Sequence, residues 1–347
     1  MTPVQITIPA AAVNTAPMLS SLHNRGLMAY GLGIALTSLY SIVYWRPETF
    51  GAPQTVWFWY SVVYTLVVCM FGAKKIIDYR NDRYQMLRTV SLVTVQLLLA
   101  FILPNMLRHS GHGEFYFSYF WPLKPEYLFP STLHSLIDSP DRLRVFMGWW
   151  SVIMLVVATP VLTYFYGKRW YCSWVCGCGA LAETAGDSFR HLSSKSPQSW
   201  TIERWTIYPV LMFITIITAL LWYVDANPDP TLQAYAETAN RIYGFVIGGL
   251  FSGVVGVGFY PILGSRVWCR FGCPMAAVLG ILQKYASRFR IETNQGQCIS
   301  CGNCSTYCEM GIDVRSYAQE GKDIKRASCV GCGVCVSVCP RGVLRAS

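Results

Sequence analysis

Fourteen cysteines stand in 347 residues, and eight of them form two runs near the C-terminus. The runs read Cys298-x2-Cys301-x2-Cys304-x3-Cys308 and Cys329-x2-Cys332-x2-Cys335-x3-Cys339-Pro340. A [4Fe–4S] cube needs four thiolates aimed at one centre. Tight two-residue turns bring three of them from one run, and the fourth comes from the other run. The spacing therefore predicts Cys298, Cys301, Cys304 and Cys339 around one cube, and Cys308, Cys329, Cys332 and Cys335 around a second. Gly302, Gly331 and Gly333 suit the tight backbone, and Ile299, Val330, Val334 and Val336 are expected to keep water off the cubes. Zinc knuckles or a disulfide cluster are the alternatives. Zinc sites take four ligands each but lack this doubled three-plus-one rhythm. The chemistry expected of such a pair is electron transfer.

A second set of thiols lies upstream. Gly167-Lys-Arg-Trp-Tyr-Cys172-Ser-Trp-Val-Cys176 and Gly264-Ser-Arg-Val-Trp-Cys269-Arg-Phe-Gly-Cys273-Pro274 place glycine, arginine, an aromatic and two cysteines at the same offsets, 97 residues apart. Each motif follows a pair of apolar stretches, the pattern of a parallel internal repeat about an axis along the membrane normal. Such an axis brings Cys172, Cys176, Cys269 and Cys273 together, enough for a candidate third cluster. On a helical turn, residues four apart share a face, so each pair can present both sulfurs. Lys168, Arg169, Arg266 and Arg270 would offset cluster charge. Redox-active or buried thiols without metal remain the alternative. Cys178 is a substitute ligand or a bystander, and Cys69 a small packing residue.

The elements that must position these thiols are membrane helices. The chain is 53% apolar and only 13% charged, with mean hydropathy +0.35, against about 25% charged in soluble domains. Six stretches reach the roughly 20 residues that cross a hydrocarbon core: 27–45, 55–73, 90–107, 146–166, 206–224 and 243–263. Tyr44, Trp45, Trp57, Trp59, Trp149 and Trp150 mark an interfacial belt. A polar segment, 1–26, precedes the membrane part at 27–290, and 291–347 is the double-cluster domain. The start of the chain has no signal-peptide pattern. Gly244, Gly248, Ser252 and Gly256 form a small-residue stripe for helix packing. The aromatic loop between spans three and four is expected on the membrane surface or against a partner.

Basic residues set the orientation. Lys74, Lys75, Arg80, Arg83 and Arg88 follow span two, Lys168, Arg169, Arg190, Lys195 and Arg204 follow span four, and Arg266, Arg270, Lys284, Arg288 and Arg290 follow span six. The positive-inside rule makes these loops, both termini and the cluster domain cytoplasmic. The net charge of +10 then belongs to membrane-proximal loops rather than to nucleic acid binding, since no basic stripe stands apart from the spans. No histidine pair suits a haem within the bundle, and there is no Cys-x-x-Cys-His and no dinucleotide fingerprint. His109, His112 and Glu114 are a candidate quinol-deprotonating group, though exposed loop histidines are more often plain polar surface.

On the residues of the two Trp-Tyr-Cys172-x3-Cys176 and Val-Trp-Cys269-x3-Cys273-Pro274 motifs and the double cluster run, the chain resembles the polytopic membrane ferredoxins from about Phe146 to Pro340. That family includes the membrane quinol dehydrogenase subunit of periplasmic nitrate reductase systems, the nitrous-oxide-reductase maturation and electron-donation protein, and the cytochrome-oxidase assembly ferredoxin. Two departures stand out: Gly177 replaces the proline expected after Cys176, and Glu309 the proline expected after Cys308. The expected fold is a membrane all-α six-helix bundle with an internal parallel repeat, plus a C-terminal two-cluster ferredoxin-like α+β domain. The resemblance implies a multi-pass protein of the bacterial cytoplasmic (inner) membrane. Its expected role is an oxidoreductase electron-transfer subunit, with membrane lipid, other subunits of a membrane redox complex and quinone as partners. It would pass electrons between a membrane donor, quinol, and a partner redox protein of a respiratory chain. The rivals are an assembly factor reducing a metal or thiol during maturation of another complex, and a structural membrane anchor.

Overall fold

The computed structural model describes residues 26–51 and 53–347. The polar N-terminal segment, apart from Gly26, and the side chain of Trp57 lie outside the described residues. Among the described residues, six helices are long and apolar enough to cross a membrane: α1 (Leu27–Trp45), α2 (Phe58–Asp78), α3 (Arg83–His109), α4 (Arg142–Tyr166), α5 (Pro197–Ala226) and α6 (Pro230–Gly258). Four of them start on readable caps. The side chains of Asp82, Asp141, Ser196 and Asp229 each accept a backbone N–H of the first turn, and Pro197 and Pro230 fill first positions where no N–H is needed.

Three helices loosen into π winding, over Gln96–Ile102, Met154–Ala158 and Gly244–Val255. The first two segments lie just before Pro104 and Pro160, where a wider turn relieves the clash of the proline ring with the carbonyl four residues back. In α6 it also moves the packing face. Gly244 and Gly248 face open space, whereas Gly249 lies against Tyr44, Gly253 against Tyr40 and Gly258 against Thr37, all of α1. The small-residue face is therefore Gly249–Gly253–Gly258 rather than the stripe through Gly244 and Gly248, because π winding adds a residue to each turn.

Spans one and two meet through the edge contact of Tyr40 with Tyr60, and each packs mainly on another helix. α1 lies on α6 and the turn after it, with Gly33 against Gly258 and Ile262, and α2 lies on α3, with Gly72 against Val93. An apolar crevice separates α1 from α2. The aromatic loop is not a surface element either. Phe115, Ser118 and Phe120 are buried, the Tyr171 hydroxyl donates to the Ser118 carbonyl at 2.9 Å, and Trp121 Nε1 donates to Thr218 at 3.0 Å. The segment dips between the helices, which non-helical backbone can do at membrane depth only when covered by protein.

Beyond α6, helix α7 (Pro274–Tyr285) leads to a short antiparallel pair, β1 (Ile291–Thr293) with β2 (Leu344–Ala346), in the register Ile291 to Ala346 and Thr293 to Leu344. Between the strands lie the two cysteine runs. Gly302, Gly331 and Gly333 all take positive φ, 62° to 82°, the left-handed turns that fold each run back on itself. One apolar core runs from the loops that follow α4 and α6 into this domain.

Candidate functional site

The two upstream motifs fold alike. Gly167 (φ 65°) ends α4 and Gly264 (φ 95°) ends the short turn Tyr260–Leu263. A one-turn helix follows in each, Arg169–Cys172 and Val267–Phe271. The N–H of Cys176 then bonds the Tyr171 carbonyl at 2.8 Å, and that of Cys273 the Trp268 carbonyl at 3.0 Å. Cys176 and Cys273 each cap the next helix. The two thiols of a pair thus come from the end of one helix and the start of another. This corrects the expectation of a shared helical face: the turn between them breaks the helix. The Cys273 sulfur accepts the Ala276 N–H at 3.4 Å.

All four sulfurs, of Cys172, Cys176, Cys269 and Cys273, are buried in one core cluster. They are close enough to feel one another's charge. Burial, together with Cys176 and Cys269, pushes the Cys172 thiol up to about 12 against the pull of Lys168 and Arg266. Cys273 is raised by burial and by Cys269, Cys176 and Cys172. Cys176 goes the other way, to about 7, chiefly because Cys178 hydrogen-bonds its sulfur. Three of the four buried thiols, Cys172, Cys269 and Cys273, resist ionising, and such a set suits a cationic centre, which supplies the positive charge it lacks. Of the four basic residues expected there, Lys168 and Arg266 act on the thiols, and Arg266 Nη1 lies 3.7 Å from Cys269 Sγ. Arg270 is held by Glu203 at 3.2 Å, and Arg169 lies over the Phe289 ring.

In the C-terminal domain, one small cavity is lined by Cys308, Cys329, Cys332 and Cys335, and another by Cys298, Cys301, Cys304 and Cys339. The structure thus gathers the eight cysteines in the two sets that the spacing predicts. Each enclosed space ringed by four sulfurs fits a four-iron cube, which takes up and gives back one electron at a time. Val330 and Val334 are fully covered, whereas Ile299 lines its cavity but is 55% exposed. Burial pushes Cys304 up to about 12 and Cys329 up to about 11.

The loop of the inner set is docked on the membrane part by polar contacts. The Ser173 hydroxyl donates to the Val330 carbonyl at 2.7 Å, Tyr84 to Gly331 at 2.8 Å, Gln85 to Cys332 at 2.8 Å and Gln283 to Cys329 at 2.7 Å. Ser173 follows Cys172 directly, so one cysteine set touches the loop of the next. The outer set ends at Cys301, which is exposed.

Between the two inner sets lies a buried ion network. Glu183 pairs with Lys75, Arg88, Arg190 and Arg266 at 2.5–2.9 Å, and Asp187 pairs with Lys75 and Arg190. Burial alone would raise the Glu183 carboxyl, but these cations outweigh it and hold it well below the usual carboxylate range. Glu309, fully buried, lies 3.1 Å from both Arg190 and Arg266. Arg190 in turn lies 3.8 Å from Cys332 Sγ, and Arg266 reaches Cys269. The proline expected at 309 could not join this network. Glu183, Glu309 and Cys332 come within 4.8 Å of one another, yet with four cations around them the trio is ion-paired rather than a metal site. Sequence reasoning missed Glu183, whose one signal is a lone glutamate just after a ligand motif.

His112 bonds Asp141 at 2.7 Å and His109 is exposed, so neither lies near the thiols. Glu114 is held by Arg108 at 2.6 Å and by the Tyr116 hydroxyl at 3.1 Å.

Comparison with known proteins agrees with this geometry. Residues 148–196 and 245–292 match the family described as a 4Fe-4S binding domain, and residues 297–344 the 4Fe-4S dicluster domain. The methylamine utilization ferredoxin-type protein MauN of Methylobacillus flagellatus is 27% identical over 169 residues, 47% of this chain and 57% of that one. The regulatory protein NosR of Stutzerimonas stutzeri is 24% identical over 265 residues, 70% of this chain and 35% of that one. The ferredoxin-type protein NapH of Escherichia coli is 27% identical over 156 residues, 44% of this chain and 51% of that one. The chain therefore spans between about a third and just over half of these relatives. No solved structure matches it. Six membrane-length helices among the described residues, cluster-binding domains on both groups of cysteines and ferredoxin-type relatives together make this chain similar to the polytopic membrane ferredoxins.

Proposed function

We propose that the protein carries electrons between quinol in the membrane and a partner redox protein of a respiratory chain, through three iron–sulfur centres in series. The observation that carries this reading is the contact of one cysteine set with the next: Cys172 adjoins Ser173, which bonds the loop of Cys329 and Cys332. In this reading Cys172, Cys176, Cys269 and Cys273 hold the innermost cluster. Cys308, Cys329, Cys332 and Cys335 hold the middle one, and Cys298, Cys301, Cys304 and Cys339 the outermost. The outermost set includes the exposed Cys301, a suitable exit toward a partner. The alike folding of the two motifs supports an internal parallel repeat whose loops meet to complete one ligand set. The basic loops on the cluster side support a cytoplasmic position for that side and for both termini.

Burial of the four upstream sulfurs argues against the rival reading as a thiol-reducing assembly factor, because a partner protein could not reach them. The test is iron and acid-labile sulfide analysis with electron paramagnetic resonance on anaerobically purified protein. Wild-type chain should hold about twelve irons, and Cys269→Ser about eight, losing one signal and keeping two. Eight irons in both, or zinc in place of iron and sulfide, would overturn the three-centre reading.

A further inference from the structure

A cavity of about 420 Å³ runs through the membrane part. Arg108, Glu114 and Lys124 line its mouth on the side away from the clusters, and Gly177, Cys178 and Cys269 line its inner end. The apolar crevice between α1 and α2, about 600 Å³, is walled by Leu36, Val43, Trp59, Val63, Ala185 and Phe189. Both spaces share Tyr40, Tyr60, Tyr64 and Tyr260 as lining. An aromatic, hydroxyl-bearing chamber thus joins an apolar slot.

We infer that the chamber binds the ring of an isoprenoid quinol and that the crevice takes its tail. Pockets for such ligands are mostly apolar with a few placed polar groups, and here Tyr64 ties the chamber to the cysteine loop, Tyr60 joins Tyr40 across the chamber, and Gln96 braces the loop behind Tyr64. Tyr60 donates to Tyr40 at 2.9 Å, Tyr64 to the Gly177 carbonyl at 2.8 Å, and Gln96 to the Val175 carbonyl at 2.8 Å. Gly177 has a physical reason here. A Cβ on it would collide with the Tyr119 hydroxyl and stand 2.9 Å from Gln96 and 3.0 Å from Tyr64. The proline expected at this position would push the cage off the loop.

The inference rests on the reading that Cys269 belongs to a redox centre. Oxidation of a hydroquinone in the chamber breaks two O–H bonds. Two electrons leave at the Cys269 end, one to each of two oxidised iron–sulfur centres. Two protons leave toward the Glu114 carboxylate, which accepts from Tyr116 at the outer mouth, and the quinone departs through the crevice. Electrons and protons would then exit on opposite sides of the membrane.

The test is a fluorescence titration of the detergent-purified, cluster-loaded chain with the quinol analogue 2-heptyl-4-hydroxyquinoline N-oxide. Saturable binding of one molecule per chain is expected. Tyr64→Phe, which removes the hydroxyl, and Ala185→Trp, which fills the crevice, should each weaken it about tenfold or more, a change of about 1.4 kcal/mol. Iron content and the dithionite-reduced spectrum should stay as in wild type. Non-saturating uptake, or equal binding by both variants, would overturn the site. Loss in Ala185→Trp alone would mean an acyl-chain slot and overturn the ring assignment. Failure of the titration with twelve irons present sinks this inference only, whereas missing iron in the Cys269 set sinks the reading beneath it.

Discussion

Glu309 directly follows Cys308, one of the four cysteines of the middle set, yet its carboxylate turns into the protein between two arginines that each reach a cysteine sulfur. The network holds four cations, Lys75, Arg88, Arg190 and Arg266, against three anions, Glu183, Asp187 and Glu309. Its surplus of one positive charge suits neighbours that are themselves anionic. Glu309→Gln removes a negative charge beside the middle set and should raise that centre's midpoint potential by tens of mV. The scale is about 59 mV for each tenfold change in a one-electron couple, read by redox titration followed by paramagnetic resonance. Glu183→Gln should cost about 3–5 kcal/mol, since it leaves buried cations uncompensated, seen as a lower Tm. The Glu183 carboxyl lies below its ordinary 4.5 when folded. Its contribution is therefore fully present above that value and fades only as pH falls through the lowered one. The Tm gap between wild type and variant should stay constant from pH 6 to 8. The cysteine sets were legible in the sequence because ligation spacing is local. Glu183 and the Tyr64 cage were not, since their partners lie about a hundred residues away and meet only through packing.

At the scale of elements, apolar length made all six spans readable, while the winding inside them was not. π turns shift which glycines face a neighbour, so a four-residue stripe pointed to the wrong face of α6. Gly253→Ala should force the Tyr40 ring aside and lower detergent stability by about 1–3 kcal/mol, whereas Gly248→Ala, with open space beside it, should be near neutral. Equal Tm values for the two variants would contradict the packing described. The aromatic loop from Phe115 to Trp121 reads as interfacial by composition. Its burial depends on Tyr171 and Thr218, contacts that composition does not encode.

At the scale of the whole molecule, the three cysteine sets lie in order from the tyrosine chamber to the exposed Cys301 edge, and this order is the central claim. In liposomes holding a long-tailed menaquinone in the bilayer, dithionite-reduced protein freed of excess reductant should be oxidised by the membrane quinone alone. The bleached absorbance of the outer clusters should then return. Cys269→Ser should keep both outer clusters and be oxidised normally by water-soluble ferricyanide, but lose oxidation by the bilayer quinone. Recovery at the wild-type rate in Cys269→Ser would contradict the account, because the outer clusters would then reach the membrane without the innermost set.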